Sequence, residues 1–148
     1  MIDINNIHEQ WLKDCEIDSL KLDESSRNTP LLHAKYLRIL SEAKLSLKHA
    51  EFDQRKMLKD KWLYYSGKMC QQDIESRNWD PDPFDGLKVL KGDYEHYYNS
   101  DPDIIESEAK IEYLTNVIDV LNEIINNLKW RHQTIRNIIA WRQFESGN

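Results

Sequence analysis

Between Pro30 and Gly67 the sequence contains no glycine and no proline, and between Pro102 and Gly147 it again contains neither. Two uninterrupted runs of that length favour long helices. With 4 glycines and 4 prolines in 148 residues, the chain also lacks the frequent turns that small-strand sandwiches and barrels require. The fold class this implies is all-α, with long helices separated by a loop-rich middle segment.

Each run opens on the same signal. Thr29-Pro30 and Asp101-Pro102 place a capping side chain before a proline. The proline then sits at the first helical position, where its missing N–H is not needed. The first helix is expected from Pro30 to about Tyr65. Its inward face is Tyr36, Leu40, Ala43, Leu47, Ala50, Gln54 and Met57, stepping by four and three. Gly67 is expected as the left-handed residue that closes it. Upstream, residues 3–16 predict a short helix with Ile4, Ile7, Trp11, Leu12 and Cys15 on one face. Residues 68–86 break the pattern, and Asn78–Gly86 is loop chemistry, because each proline biases its predecessor away from helix. Leu87–Leu90 suggests a brief extended piece, and Asp93–Asn99 a short helix.

The second run predicts a helix from Pro102 to about Phe144. Its heptad positions are Ile111, Leu114, Ile118, Leu121, Ile125, Leu128, His132, Ile135, Ile139 and Arg142, with Val117, Ile124 and Ile138 widening the face. A helix of this length extends roughly 60 Å, whereas a globule of this size has a radius of gyration of about 15 Å. Such a helix must bend, break or bury its face against other copies. Self-assembly is the preferred expectation, with Leu114, Ile118, Leu121, Ile125, Leu128, Ile135 and Ile139 as the oligomerisation seam, and His132 and Arg142 helping to fix register. The chain is taken as one domain over residues 1–148. Residues 1–68 supply the N-terminal helices, 69–101 an acidic loop-rich segment and 102–148 the assembly helix.

The formal net charge is −6, which on its face disfavours nucleic acid as a partner. The total hides a pattern. Residues 1–29 carry net −4, 30–68 net +5, 69–128 net −10 and 129–148 net +3. Charge asymmetry of this kind points to a polyanion partner. The basic character peaks in residues 55–68, where Arg55, Lys56, Lys59, Lys61 and Lys68 surround Trp62, Tyr64 and Tyr65. Clustered cations neutralise phosphates, and flat rings stack on unpaired bases, so this combination suits single-stranded nucleic acid. Lys59 and Lys61, two residues apart, do not share one helical face.

No catalytic constellation is present. The sequence has no Walker A motif, no glycine-rich phosphate loop and no G-x-S-x-G. Asp80/Asp82 and Asp101/Asp103 place carboxylates two apart, but turn and cap chemistry explains both pairs. Cys15 and Cys70 and the five scattered histidines fit no metal spacing. No metal, cofactor or enzymatic activity is expected. The N-terminal MIDINNIHEQ has neither the basic nor the apolar region of a secretory signal, and no run of 18 apolar residues exists to span a membrane.

Three ordered blocks carry a family resemblance. Leu58-Lys59-Asp60-Lys61-Trp62-Leu63-Tyr64-Tyr65-Ser66-Gly67 resembles the L-K-x-R-x-x-Y-Y-S-G signature of the UvsY family of tailed-phage recombination mediators. Ile17-Asp18-Ser19-Leu20-Lys21-Leu22 is similar to the family's I-D-S-x-K-L, and Ile138–Gly147 to its I-x-x-x-R-x-F-E-x-G ending. The resemblance is weak across 70–103. It implies a non-enzymatic helper of homologous recombination in the cytoplasm of the infected host. Such a protein binds single-stranded DNA, contacts the phage single-strand-binding protein and recombinase, and assembles as a ring-like hexamer or heptamer through its C-terminal region. By the same resemblance Lys59 and Lys61 occupy the family's two basic DNA-binding positions. Lys61 stands where an arginine is usual, which keeps charge but loses the planar fork. Arg55, Lys56, Lys59, Lys61, Tyr64, Tyr65 and Lys68 are therefore the candidate DNA-binding residues. The alternative expectation is a helical oligomeric adaptor whose basic segment meets an acidic protein.

Overall fold

The computed structural model describes residues 2–147 and contains helices, turns and irregular segments, with no strand among them. The helices are α1 (Ile4–Asp14), α2 (Leu22–Tyr65), α3 (Gln71–Ser76), α4 (Tyr94–Asn99), α5 (Pro102–Lys129) and α6 (Arg131–Glu145). Two compact units share them. One comprises the chain up to Leu45 with the chain from Leu114 onward, and the other is Ser46–Tyr113.

Local chemistry sets most boundaries. Asp3 caps α1, its Oδ1 accepting from the Asn5 N–H at 2.9 Å. Gly67 takes φ +74° beyond α2, and the Lys68 N–H returns to the Leu63 carbonyl at 2.9 Å, as a left-handed closure requires. Asp101 caps α5, its Oδ1 accepting from Asp103 N–H at 2.9 Å and Ile104 N–H at 3.3 Å.

Two boundaries differ from expectation. Helix α2 begins at Leu22 rather than at Pro30, which lies inside it. Proline there removes the N–H that would reach the Ser26 carbonyl. Both Pro30 and Ser26 are exposed, which leaves the unpaired oxygen in a place where solvent is the available partner. The expected C-terminal helix is two helices. Trp130 adopts φ −97° and ψ 0°, its N–H bonds to Asn127 three residues back, and its own carbonyl receives Gln133 three residues on. Tertiary bonds accompany this tightened turn. The guanidinium of buried Arg131 donates to the Asp14 and Glu16 carbonyls, each at 3.3 Å.

In the first unit, Ile7, Leu32, Tyr36, Leu40 and Ala43 are buried together with Leu114, Val117, Leu121, Ile124, Ile125, Leu128 and Ile135. The seam expected to wait for another copy is thus largely this chain's own core. The reason is the one left open by helix length: the helix breaks, and the stripe is buried in one core with residues of α1 and α2. Ile118 is half-buried, and Ile139 remains 42% exposed. His132 does not occupy a seam. It is exposed, with its ring nitrogen 2.9 Å from the Lys129 carbonyl. Arg142 donates to the Ser19 carbonyl.

Polar bonds reinforce this packing. Asp14 accepts from Lys35 Nζ at 2.6 Å and from the Tyr36 hydroxyl at 2.9 Å, while Trp11 meets Tyr36 edge-on at 5.5 Å. Burial pushes the Asp14 carboxyl upward, but the bonds from Lys35 and Tyr36 outweigh it and hold it below its ordinary value.

Candidate nucleic-acid interface

Within the second unit the basic segment divides by helical geometry. Successive residues of an α-helix rotate by roughly 100°. Phe52, Arg55, Lys59 and Trp62 therefore line one side of α2, and all four are exposed. Lys56 lies beside them, also exposed. Arg55 rests over the Phe52 ring at 5.6 Å. Among the described residues, no carboxylate stands within ion-pair distance of Arg55, Lys56 or Lys59. Lys68, just past the helix, holds its ammonium 4.5 Å from the centre of the Trp62 ring.

Lys61 points the other way and is only 4% exposed. Its ammonium is held by Asp101 Oδ2 at 3.0 Å and Asp103 Oδ2 at 2.9 Å. It also lies 4.0 Å from the Trp79 ring centre, a cation–π contact. Tyr65 donates to the same Asp101 oxygen at 2.6 Å. Burial would raise the Asp101 carboxyl, yet the hydrogen bonds from Tyr65 and Lys61 prevail and keep it below the ordinary carboxylate value. Burial, and then the bond to Asp101, drive the Tyr65 hydroxyl upward. Tyr64 is buried as well and donates to the Asp80 carbonyl at 2.6 Å.

The seven residues expected on DNA therefore fall into two groups. Arg55, Lys56, Lys59 and Lys68 form an exposed cationic face. Lys61, Tyr64 and Tyr65 do not join it. Their polar atoms are spent on Asp101, Asp103 and the Asp80 carbonyl, so in this chain they are internal supports. Asp60, between the two lysines, is paired with Arg77 at 2.7 Å, which offsets its charge beside Lys59.

The supports fasten the middle segment to α2. Tyr64 packs on Trp79 at 5.1 Å, Tyr65 on Phe84 at 6.1 Å and on Tyr98 at 6.4 Å, and Phe84 on Tyr97 at 5.0 Å. The Asn78–Gly86 loop is thereby an aromatic layer of this unit. Its carboxylates serve the turn itself: Asp80 Oδ1 accepts from Asp82 N–H at 2.9 Å, and Asp82 Oδ1 from Phe84 N–H at 3.0 Å. No group of three or more metal-binding side chains occurs among the described residues.

A second set of residues near the cationic face escaped the sequence reading. The Trp62 indole N–H donates to the Tyr94 hydroxyl at 3.3 Å. A groove of about 530 Å³ lies there, lined by Leu58, Lys59, Trp62, Tyr94, Glu95, Tyr98 and Asn99. The available signal was the four-residue spacing of Tyr94 and Tyr98, which puts both on one face of α4.

The model of the family described as "Recombination, repair and ssDNA binding protein UvsY" matches residues 10–148. The chain belongs to the UvsY family. A curated UvsY relative, the recombination protein of Enterobacteria phage T4, is 26% identical over 144 residues, covering 97% of this chain and 98% of that protein. Crystal structures of the bacteriophage T4 recombination mediator UvsY share the fold. One lattice form superposes with a TM-score of 0.79 at 23% identity, over 99% of each chain. Another gives 0.76 at 26% identity, over 95% of this chain and 98% of the T4 chain. UvsY proteins are recombination mediators and not enzymes. Here the family's Y-Y-S-G block (Tyr64–Gly67) joins the middle-segment packing at its tyrosines and ends α2 at its glycine.

Proposed function

We propose that this protein binds single-stranded DNA and helps the phage recombinase nucleate on strands covered by single-strand-binding protein, in the cytoplasm of the infected host. Membership of the UvsY family over nearly the whole chain carries this reading. The exposed face of Arg55, Lys56, Lys59 and Lys68 supports it, because phosphates need accessible cations and these are accessible. The net charge of −6 is no obstacle when the cations are gathered on one side of α2 and just beyond its end.

Assembly belongs to the same proposal. Most of the heptad stripe is internal, but α6 and its end expose Ile139, Trp141 and Phe144 at 42%, 59% and 71%. We assign contact between copies, in a ring of six or seven, to this remainder. Several weak sites on one ring then hold one strand by effective concentration. A strand held in a shape favourable to the recombinase shifts the competition by binding differences alone.

The test is recombinase filament formation on DNA precoated with single-strand-binding protein. Adding the protein should shorten the lag. An unchanged lag over a full titration of the protein overturns the mediator reading.

A further inference from the structure

We propose that the groove between Trp62 and α4 is a nucleobase site, in which an unpaired base stacks on Trp62 while Lys59 and Lys68 hold the adjoining phosphates. This rests on the single-stranded DNA reading and deepens it by naming where a base goes.

Four observations carry the assignment. Trp62 is 39% exposed, so part of its ring is open to a ligand. Its indole N–H donates to the Tyr94 hydroxyl at 3.3 Å, which favours one ring orientation and lowers the cost of ordering the ring for stacking. Two cations flank it: Lys68 sits 4.5 Å from its ring centre, and Lys59 lines the same groove. The groove also holds Tyr98, a second aromatic wall, and Asn99 and Glu95 as polar groups. Asn99 both donates and accepts, and Glu95 accepts from exocyclic amines, so the polar rim suits base edges. Glu95 repels phosphate, which places the backbone on the Lys59 and Lys68 side. At about 530 Å³ the groove is within the usual range for a small ligand.

A second groove, of about 390 Å³, also contains a tryptophan, Trp79, but its rim sets the carboxylates of Asp53, Asp103 and Glu106 against one cation, Lys110. The ring of Trp79 is already occupied by the Lys61 ammonium and lies 5.2 Å from the Arg77 guanidinium. That groove rejects a polyanion. The Trp62 ring also has an ammonium near it, that of Lys68 at 4.5 Å, but its groove is lined by Lys59 and a single carboxylate, Glu95, and an exposed ring beside cations is the pairing that single-strand binders use.

The experiment compares two ligands of equal length and charge at one salt concentration: oligo(dT), and the same backbone with abasic sites throughout. Trp62→Ala should weaken oligo(dT) binding about 5- to 150-fold, the range for losing one base stack, and leave the abasic affinity within about twofold. Trp62→Phe should recover most of the loss. Lys59→Ala should weaken both ligands alike. If wild-type protein binds neither ligand, the DNA reading itself fails. If wild-type protein binds oligo(dT) and Trp62→Ala binds it equally well, the nucleobase site is wrong and the DNA reading stands. Should Trp62→Ala not fold, wild-type protein irradiated with a 5-iodouracil oligonucleotide decides. Adducts on Trp62, Tyr94 or Tyr98 support the site, and adducts confined to other residues overturn it.

Discussion

Lys61→Met removes a charge that the sequence assigns to DNA and the structure assigns to the protein interior. The two assignments give opposite outcomes. Methionine nearly matches the aliphatic stem, so packing against Trp79 is largely kept and the ammonium is what is lost. Asp101, 3% exposed, is left with Tyr65 and its backbone bonds but no counter-charge. Breaking a buried pair by removing one partner costs about 3–5 kcal/mol. The bond to Asp103, whose side chain is 53% exposed, adds little, as half-exposed pairs do. The retained Tyr65 bond argues for the lower end, about 3 kcal/mol, which in a chain of this size lowers the melting temperature by roughly 6–12 °C. Urea titration with linear extrapolation measures the loss. Pairing the change with Asp101→Asn should restore part of it, because no buried charge then stands alone. The salt dependence of oligo(dT) binding, measured well below the melting temperature, should keep its slope. Loss of one phosphate contact would reduce that slope by about 0.7. A variant as stable as wild type with a slope reduced in this way would refute the buried-support assignment and return Lys61 to the DNA.

Three further outcomes follow from other features. Gly67→Ala should destabilise by about 1–2 kcal/mol, since φ is +74° and no atom lies near the added carbon, so the cost is purely conformational; an unchanged urea midpoint would contradict the left-handed closure. Acid should act through Asp14 and Asp101, both held below their ordinary values. Their contribution is present above the unfolded carboxylate value near 3.9 and is lost as pH falls through their lower folded values. The double variant Asp14→Asn/Asp101→Asn should therefore lose less stability than wild type between pH 5 and pH 2, and equal slopes in denaturation against pH would count against it. Trp141→Ser with Phe144→Ser should lower the mass seen by light scattering while leaving the circular dichroism of the helices in place; an unchanged mass removes the α6 end from assembly.

What was legible in the sequence was mostly local. Gly67 closes α2 and Asp101-Pro102 opens α5 because those side chains act within a turn of where they sit. The expected inward stripe was visible because periodicity reports a face: Tyr36, Leu40, Ala43 and Ala50 are buried, while Leu47, Gln54 and Met57 are half-buried. Pro30 misled because a proline signal is ambiguous. It starts a helix, or it passes through one where the freed carbonyl meets water, and only three-dimensional exposure distinguishes the cases. The break at Trp130 carried no glycine or proline to announce it. It coincides with the bonds of Arg131 to carbonyls more than a hundred residues away in the chain. The candidate site was half legible. Clustered charge located the segment, and the helical rotation between Lys59 and Lys61 already separated them. That Lys61 faces inward needed Asp101 and Asp103, whose capping role was apparent while their role as acceptors for a distant ammonium was not.

Asp101 divides its two carboxylate oxygens between two tasks. Its Oδ1 serves two backbone amides, and its Oδ2 serves Lys61 and Tyr65. Asparagine preserves the first task and abandons the charge of the second, serine does likewise with a shorter reach, and alanine abandons both. The position is thus under two demands that no other side chain meets together, and drift at 101 requires compensation at 61 or 65. Across relatives these three positions should covary as a set, with lysine and arginine interchangeable at 61 wherever both carboxylates persist. An alignment would then show a basic residue tracking an aspartate forty residues away more closely than it tracks any property of the DNA.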